Sequence, residues 1–160
     1  MSGIPRFTIS RQYGAGGIWI AGLVAENLGI KLYFRQIVHI AAAKIGLDDL
    51  SENDLLELEN YVKPLSMSFL PFRSFGMNMS DSSQKIFMTE SAAIRKLAQD
   101  GPCVILGRSA DYVLRKFENK FSIFICADDE FREARGKEVY GGKTLKELDQ
   151  EDKKRARYYN

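Results

Sequence analysis

Residues 7–28, FTISRQYGAGGIWIAGLVAENL, set three glycines between a short extended run and a helical one. Phe7 to Ser10 has the β-branched and aromatic character of a strand, which stops at Arg11-Gln12-Tyr13. Gly14, Gly16 and Gly17 follow, and Ile20, Leu23, Val24 and Leu28 then recur at helical spacing. Strand, glycine turn and helix is an arrangement that cradles an anion. Glycine lets the main chain curl closely, and the free N–H groups of the first helical turn point at the charge. A plain tight turn would use the same glycines, but the order of the segments that follow favours a cradle formed by Gly14, Ala15, Gly16, Gly17 and Ile18.

The side chains that normally accompany such a cradle are missing. The phosphate-binding consensus reads G-x-x-x-x-G-K-[ST]. With Gly16 aligned to its second glycine, Gly17 stands at the lysine, Ile18 at the hydroxyl and Arg11 at the first glycine.

A chain of 160 residues suits one domain with a core that needs no disulfide or metal. Hydrophobic residues at 45% and charged ones at 28% are ordinary for a soluble protein, and a net charge of +2 is too small to argue for nucleic acid or membrane. Cys103 and Cys126 each sit in an apolar run, PCVILG and FSIFICA, and read as buried strand thiols of a reducing compartment. No signal-peptide pattern opens the chain, and no apolar stretch approaches the roughly 20 residues of a membrane span. The expected location is cytoplasmic, without a membrane partner.

Strand-like runs at 6–10, around 30–34, at 102–106 and at 121–127 alternate with helical patterns. That alternation predicts a mostly parallel sheet covered on both faces, a three-layer α/β fold. Helices are expected at 35–46, 51–62 and about 83–99. Residues 64–82, rich in Pro, Ser, Met and Phe, read as a long loop, or as a surface for a homodimer.

ISRQYGAGG at 9–17, LGI at 28–30, GPCVILGRSADYVL at 101–114 and the tail EDKKRARYYN together resemble the cytidylate kinase-like family, a branch of the P-loop nucleoside monophosphate kinases. The resemblance implies a single P-loop kinase-like domain over 1–160, with a lid and basic helical region at 128–160. It also implies a further strand and helix beyond Tyr158-Tyr159. The implied activity is ATP-dependent phosphoryl transfer to a nucleoside monophosphate such as CMP or dCMP, with Mg²⁺ as the accompanying ion and nucleotides as partners.

Phosphoryl transfer depends mainly on positioning and charge neutralisation, so cations matter. Relatives carry Arg then Glu where this chain has Ile18 and Trp19. Arg11 is the candidate replacement for the lost cation, or else pairs with a nearby acid. Relatives also tend to have an Asp after the aromatic pair, whereas this chain reads Leu32-Tyr33-Phe34-Arg35. Arg35 is a candidate for the acceptor phosphate.

Gly107-Arg108 lies past the carboxyl end of an apolar strand, where open α/β sheets place ligands. The resemblance implies that Arg108 grips the acceptor through forked hydrogen bonds, which suit guanidinium geometry. Asp111, three residues on, is expected on the same helix face, either near ribose, base or Mg²⁺-bound water, or in a plain surface pair with Arg108. Leu106 occupies the strand-end position where a carboxylate is usual.

Arg132, Arg135 and Arg155 are the candidate lid arginines that close over the donor phosphates. The competing reading is a solvated helix whose basic residues alternate with Asp149, Glu151 and Asp152. Gly141-Gly142 marks a turn or hinge between the two parts. His39, the one histidine, reads as structural, and no set of metal ligands emerges.

A second function class stays open: a catalytically weak nucleotide- or phosphate-binding regulatory module. Gly17, Ile18, Trp19 and Leu106 all favour it. Nucleic-acid binding is disfavoured, because the basic stretch is interleaved with acids and lacks aromatic platforms.

Overall fold

The structure, a computed structural model, describes residues 5–34 and 79–156. Four strands form one sheet: β1 (Arg6–Arg11), β2 (Lys31–Tyr33), β3 (Cys103–Leu106) and β4 (Lys120–Ile125). Their order is β2-β3-β1-β4, and every neighbouring pair is parallel. The helices are α1 (Gly17–Leu28), α2 (Met79–Asp100), α3 (Ala110–Val113), α4 (Asp129–Val139) and α5 (Leu145–Ala156). All four strands expected from sequence are present, each shifted by no more than a residue or two.

β3 shows why the sheet needs cover on both faces. Its four side chains are all buried and alternate between two cores, as the two-residue period of a strand requires. Cys103 and Ile105 join Ile94, Ala98, Ala110, Val113 and Leu114 on one side. Val104 and Leu106 join Ile9, Ala21 and Ala25 on the other. Phe7 pairs in register with both Val104 and Phe121, and the Phe7 and Phe121 rings stack at 5.3 Å.

Two expectations need correction. Cys103 is buried, but Cys126 is exposed, because β4 ends at Ile125 and the chain is already leaving the sheet. Arg108 does not share a helix face with Asp111. Gly107, Arg108 and Ser109 have φ of 73°, 58° and 50°, a left-handed turn that precedes α3, so the helical spacing argument does not reach Arg108.

The expected helices at 35–46 and 51–62, residues 64–78 of the expected 64–82 loop, Arg35 and His39 lie outside the described residues. Residues 79–82, expected as the end of that loop, instead open α2. Among the described residues, no helix is long and apolar enough to cross a membrane.

Candidate functional site

The glycine turn joins β1 to α1 at the carboxyl end of the sheet. Gly14 and Gly16 have φ of 83° and 76°, values at which a side chain is strained. Gly14 is also tightly packed: a methyl group there would lie 3.2 Å from the Arg132 carbonyl oxygen and 3.3 Å from Leu148 Cδ1. The Ala15 N–H bonds Gln12 O at 3.3 Å, and Ile20 N–H bonds Gly16 O at 3.0 Å, which starts the helical ladder. Among the described residues, the N–H groups of Gly16, Gly17 and Ile18 donate to no main-chain acceptor. These are the orphan donors of a helix N-terminus, collected in one turn.

Arg11, the last residue of β1, crosses this turn. A methyl group at Gly17 would lie 2.6 Å from Arg11 Cγ, and one at Gly107 would lie 2.5 Å from Arg11 Nη1. The glycine found where a lysine is usual is therefore the surface on which the Arg11 stem packs. Burial, and then the positive charge of Arg155, lower the Arg11 pKa to about 10; Arg108 adds to the effect. Among the described residues no carboxylate pairs with the Arg11 guanidinium. Its ring contact is Phe34, 6.0 Å away.

Arg108 meets a partner that sequence reasoning missed. Its Nη1 lies 3.3 Å from Glu90 Oε1 on α2, and both side chains are nearly buried. Burial pushes the Glu90 carboxyl above its ordinary value, while Arg108 acts in the opposite direction. Nothing in the run TESAAIRKLA marks Glu90 as inward, since the contact spans 18 residues and depends on how α2 packs. Asp111 is half-buried on α3, and Lys120 Nζ donates to its carbonyl oxygen at 3.0 Å.

Within the 128–160 region, α4 and α5 fold back on the glycine turn through Tyr13. Arg132, 3% exposed, donates from Nε to Tyr13 O at 3.0 Å, and its Nη atoms reach Asp149 at 2.9 Å, Asp152 at 2.8 Å and Asp129 at 3.5 Å. The geometry gives Arg132 to an internal network, with its charge already matched by carboxylates. Asp149 and Asp152, which the amphipathic reading left in solvent, face it. Arg155 is stacked over the Tyr13 ring at 4.4 Å, and its Nη1 donates to Arg11 O at 3.4 Å. Arg135 lies beside the turn, with Nε 3.9 Å from where a Gly16 methyl group would sit. That Nε is buried and has no hydrogen-bond partner among the described residues.

The residues thus gathered fit a polyphosphate: orphan amides in the turn, with Arg11, Arg135 and Arg155 around it. Among the described residues no three of His, Cys, Asp and Glu come together as metal ligands. Mg²⁺ that arrives with a nucleotide needs few of them, because phosphate oxygens and waters supply most of its coordination.

Comparison with solved structures finds similar chains. An uncharacterized protein from Eubacterium ventriosum ATCC 27560 is 27% identical, with a TM-score of 0.66 over 99% of this chain and 79% of that one. TT1252 from Thermus thermophilus aligns at 15% identity and a TM-score of 0.52, over 94% of this chain and 79% of that one. Shikimate kinase from Acinetobacter baumannii, in complex with shikimate, aligns at 14% identity and a TM-score of 0.48, over 94% and 72% of the two chains. No curated protein matches the chain. The family comparison covers nearly all of it: the model of the cytidylate kinase-like family matches residues 6–160. With its parallel sheet and its glycine turn after β1, this chain belongs to the cytidylate kinase-like family.

Proposed function

We propose that this protein transfers a phosphoryl group from Mg-ATP to a nucleoside monophosphate, with CMP or dCMP as the acceptor. One observation carries the reading. Arg11, Arg108, Arg135 and Arg155 gather around the glycine turn, and among the described residues Arg108 alone of the four has a carboxylate partner. Like charges held together with so little compensation are prepared for an anion. The glycine turn follows β1 and Arg108 follows β3, and these strands are neighbours in the sheet. Two phosphate sites about one strand spacing apart, roughly 5 Å, suit a donor and an acceptor.

In this reading Gly14, Ala15, Gly16, Gly17 and Ile18 hold the donor phosphates through main-chain N–H groups. Arg11 supplies the cation that lysine brings elsewhere. Arg108, with Arg35, holds the acceptor phosphate, and Asp111 stands near its sugar. Arg135 and Arg155 neutralise charge as it spreads over the transferred group. Arg132 serves them indirectly, by fixing the lid to Tyr13.

The second reading, a phosphate-binding module without turnover, draws on Ile18 and Trp19. Their exposed apolar side chains (46% and 64% exposed) stand at the helix N-terminus where charges are otherwise found. Release of ADP from Mg-ATP with a panel of nucleoside monophosphates separates the two. Turnover that is highest with CMP or dCMP supports the kinase. Nucleotide binding without turnover on any monophosphate leaves the module.

A further inference from the structure

Glu90 is a carboxylate for which phosphoryl transfer, as assigned above, has no use, yet it is 4% exposed and paired at 3.3 Å with Arg108. Burying a carboxylate and a guanidinium is costly, and one contact of that length recovers little of the cost. An apolar pair of similar volume would serve stability better. The ion pair therefore has another use.

The main chain gives a second sign. Arg108 and Ser109 both take left-handed φ, at 58° and 50°, directly after Gly107 at 73°. Two strained non-glycine residues in succession mark a backbone held in place for a purpose. What this turn holds is Arg108 beside Glu90, with Arg11 Nη1 arriving at Gly107 from the neighbouring strand. Glu90 offsets Arg108, while Arg11 beside them has no carboxylate partner among the described residues, which leaves positive charge uncompensated. Among the described residues Arg108 uses one Nη on Glu90, and the rest of its five-donor fork is uncommitted.

We propose that Glu90 is a positioning residue whose carboxylate fixes the Arg108 guanidinium in the turn after β3, so that the free edge of the fork receives a phosphate group. The inference rests on the assignment of Arg108 to the acceptor phosphate. A bound guanidinium loses less freedom when it meets the ligand, so the role shows in affinity for phosphate, not in binding of the donor nucleotide.

The test uses inorganic phosphate as the probe and the Arg108 Nε–H signal in ¹⁵N NMR as the readout, together with KM for CMP and for ATP. In wild type, phosphate shifts the Arg108 signal. Glu90→Ala is expected to move and broaden that signal before any ligand is added. It should also weaken phosphate affinity and raise KM for CMP by about tenfold, with KM for ATP within twofold. Glu90→Gln keeps an oxygen acceptor at the same reach and should stay within about threefold of wild type. Glu90→Asp keeps the charge but is one methylene short, and should resemble alanine; the reverse order would show a charge effect without positioning. In an Arg108→Ala background Glu90→Ala should add nothing. If Glu90→Ala does not fold, the order of Gln and Asp decides. Unchanged phosphate affinity in the variants, equal losses for CMP and ATP, or a wild-type Arg108 signal that phosphate leaves unmoved would overturn the proposal. Phosphate that moves Arg108 in a protein with no turnover on any monophosphate removes the kinase reading and leaves the positioning role standing.

Discussion

Asp152 binds the main-chain N–H of Tyr13 at 2.7 Å, reaching from the last described helix to the residue before the glycine turn. Its second oxygen takes Arg132 Nη2 at 2.8 Å, and Arg132 Nε in turn donates to Tyr13 O at 3.0 Å. Both main-chain polar groups of Tyr13 are thus bonded by side chains of α4 and α5, which ties these helices to the start of the glycine turn.

Arg132→Lys should break that ring, because one ammonium cannot copy a fork that serves a carbonyl and several carboxylates. A stability loss of about 2 kcal/mol is expected in denaturant unfolding, since a buried network is left partly unpaired. If the lid arginines act in the transition state, kcat falls more than KM for ATP rises.

Arg11→Met should make the ligand-free protein more stable. The methionine keeps a stem against Gly17 and removes a charge that burial and Arg155 disfavour. With the folded pKa lowered to about 10, that penalty is fully present at neutral pH and is relieved only as pH rises through and above that value. A gain on the order of 1 kcal/mol is expected in thermal melts. The further rise that pyrophosphate gives wild type should shrink, and turnover should drop by about a hundredfold or more.

Thr144→Ala should loosen the start of α5, the helix that carries Asp152 and Arg155. Thr144 N–H and Oγ1 donate to Glu147 Oε2 at 2.8 and 2.9 Å, and Glu147 N–H donates to Thr144 Oγ1 at 3.4 Å, a reciprocal cap. Loss of such a cap costs about 1 kcal/mol. The same hydrogen bonds lower the Glu147 pKa below its ordinary 4.5, so their contribution is complete above that value and is lost as pH falls through the lowered one. The difference between wild type and Thr144→Ala, measured by unfolding across this range, should narrow on the acid side.

Sequence reading found the sheet because its signals are local. A run such as Cys103-Val104-Ile105-Leu106 declares a strand buried on both faces whatever surrounds it. The glycine turn was legible for the same reason. Glu90, Asp149 and Asp152 were not, because their partners are fixed only by how helices pack, and each looks like a solvated position within its own segment. The left-handed pair Arg108-Ser109 was hidden too, since neither residue type announces positive φ. Arg11 was readable as a candidate cation, but its contact with Gly17 depends on the curl of the turn.

Ser91→Ala should stabilise the fold. Ser91 Oγ is buried on α2 without a hydrogen-bond partner among the described residues, and an unsatisfied buried hydroxyl costs about 1–3 kcal/mol. The expected gain is about 1 kcal/mol by thermal or denaturant unfolding, with KM for CMP unchanged.

The packing of Arg11 on Gly17 also constrains how this site can change by mutation. Lysine introduced at 17 alone collides with the Arg11 stem at Cγ and Cβ, 2.6 and 2.7 Å from the new Cβ. Replacing Arg11 alone leaves the turn with no cation from β1. The two positions form an epistatic pair, so the passage between an arginine at 11 and a lysine at 17 runs through an impaired intermediate in either order. A lineage that holds one solution is kept there by geometry, even where both would serve the same chemistry.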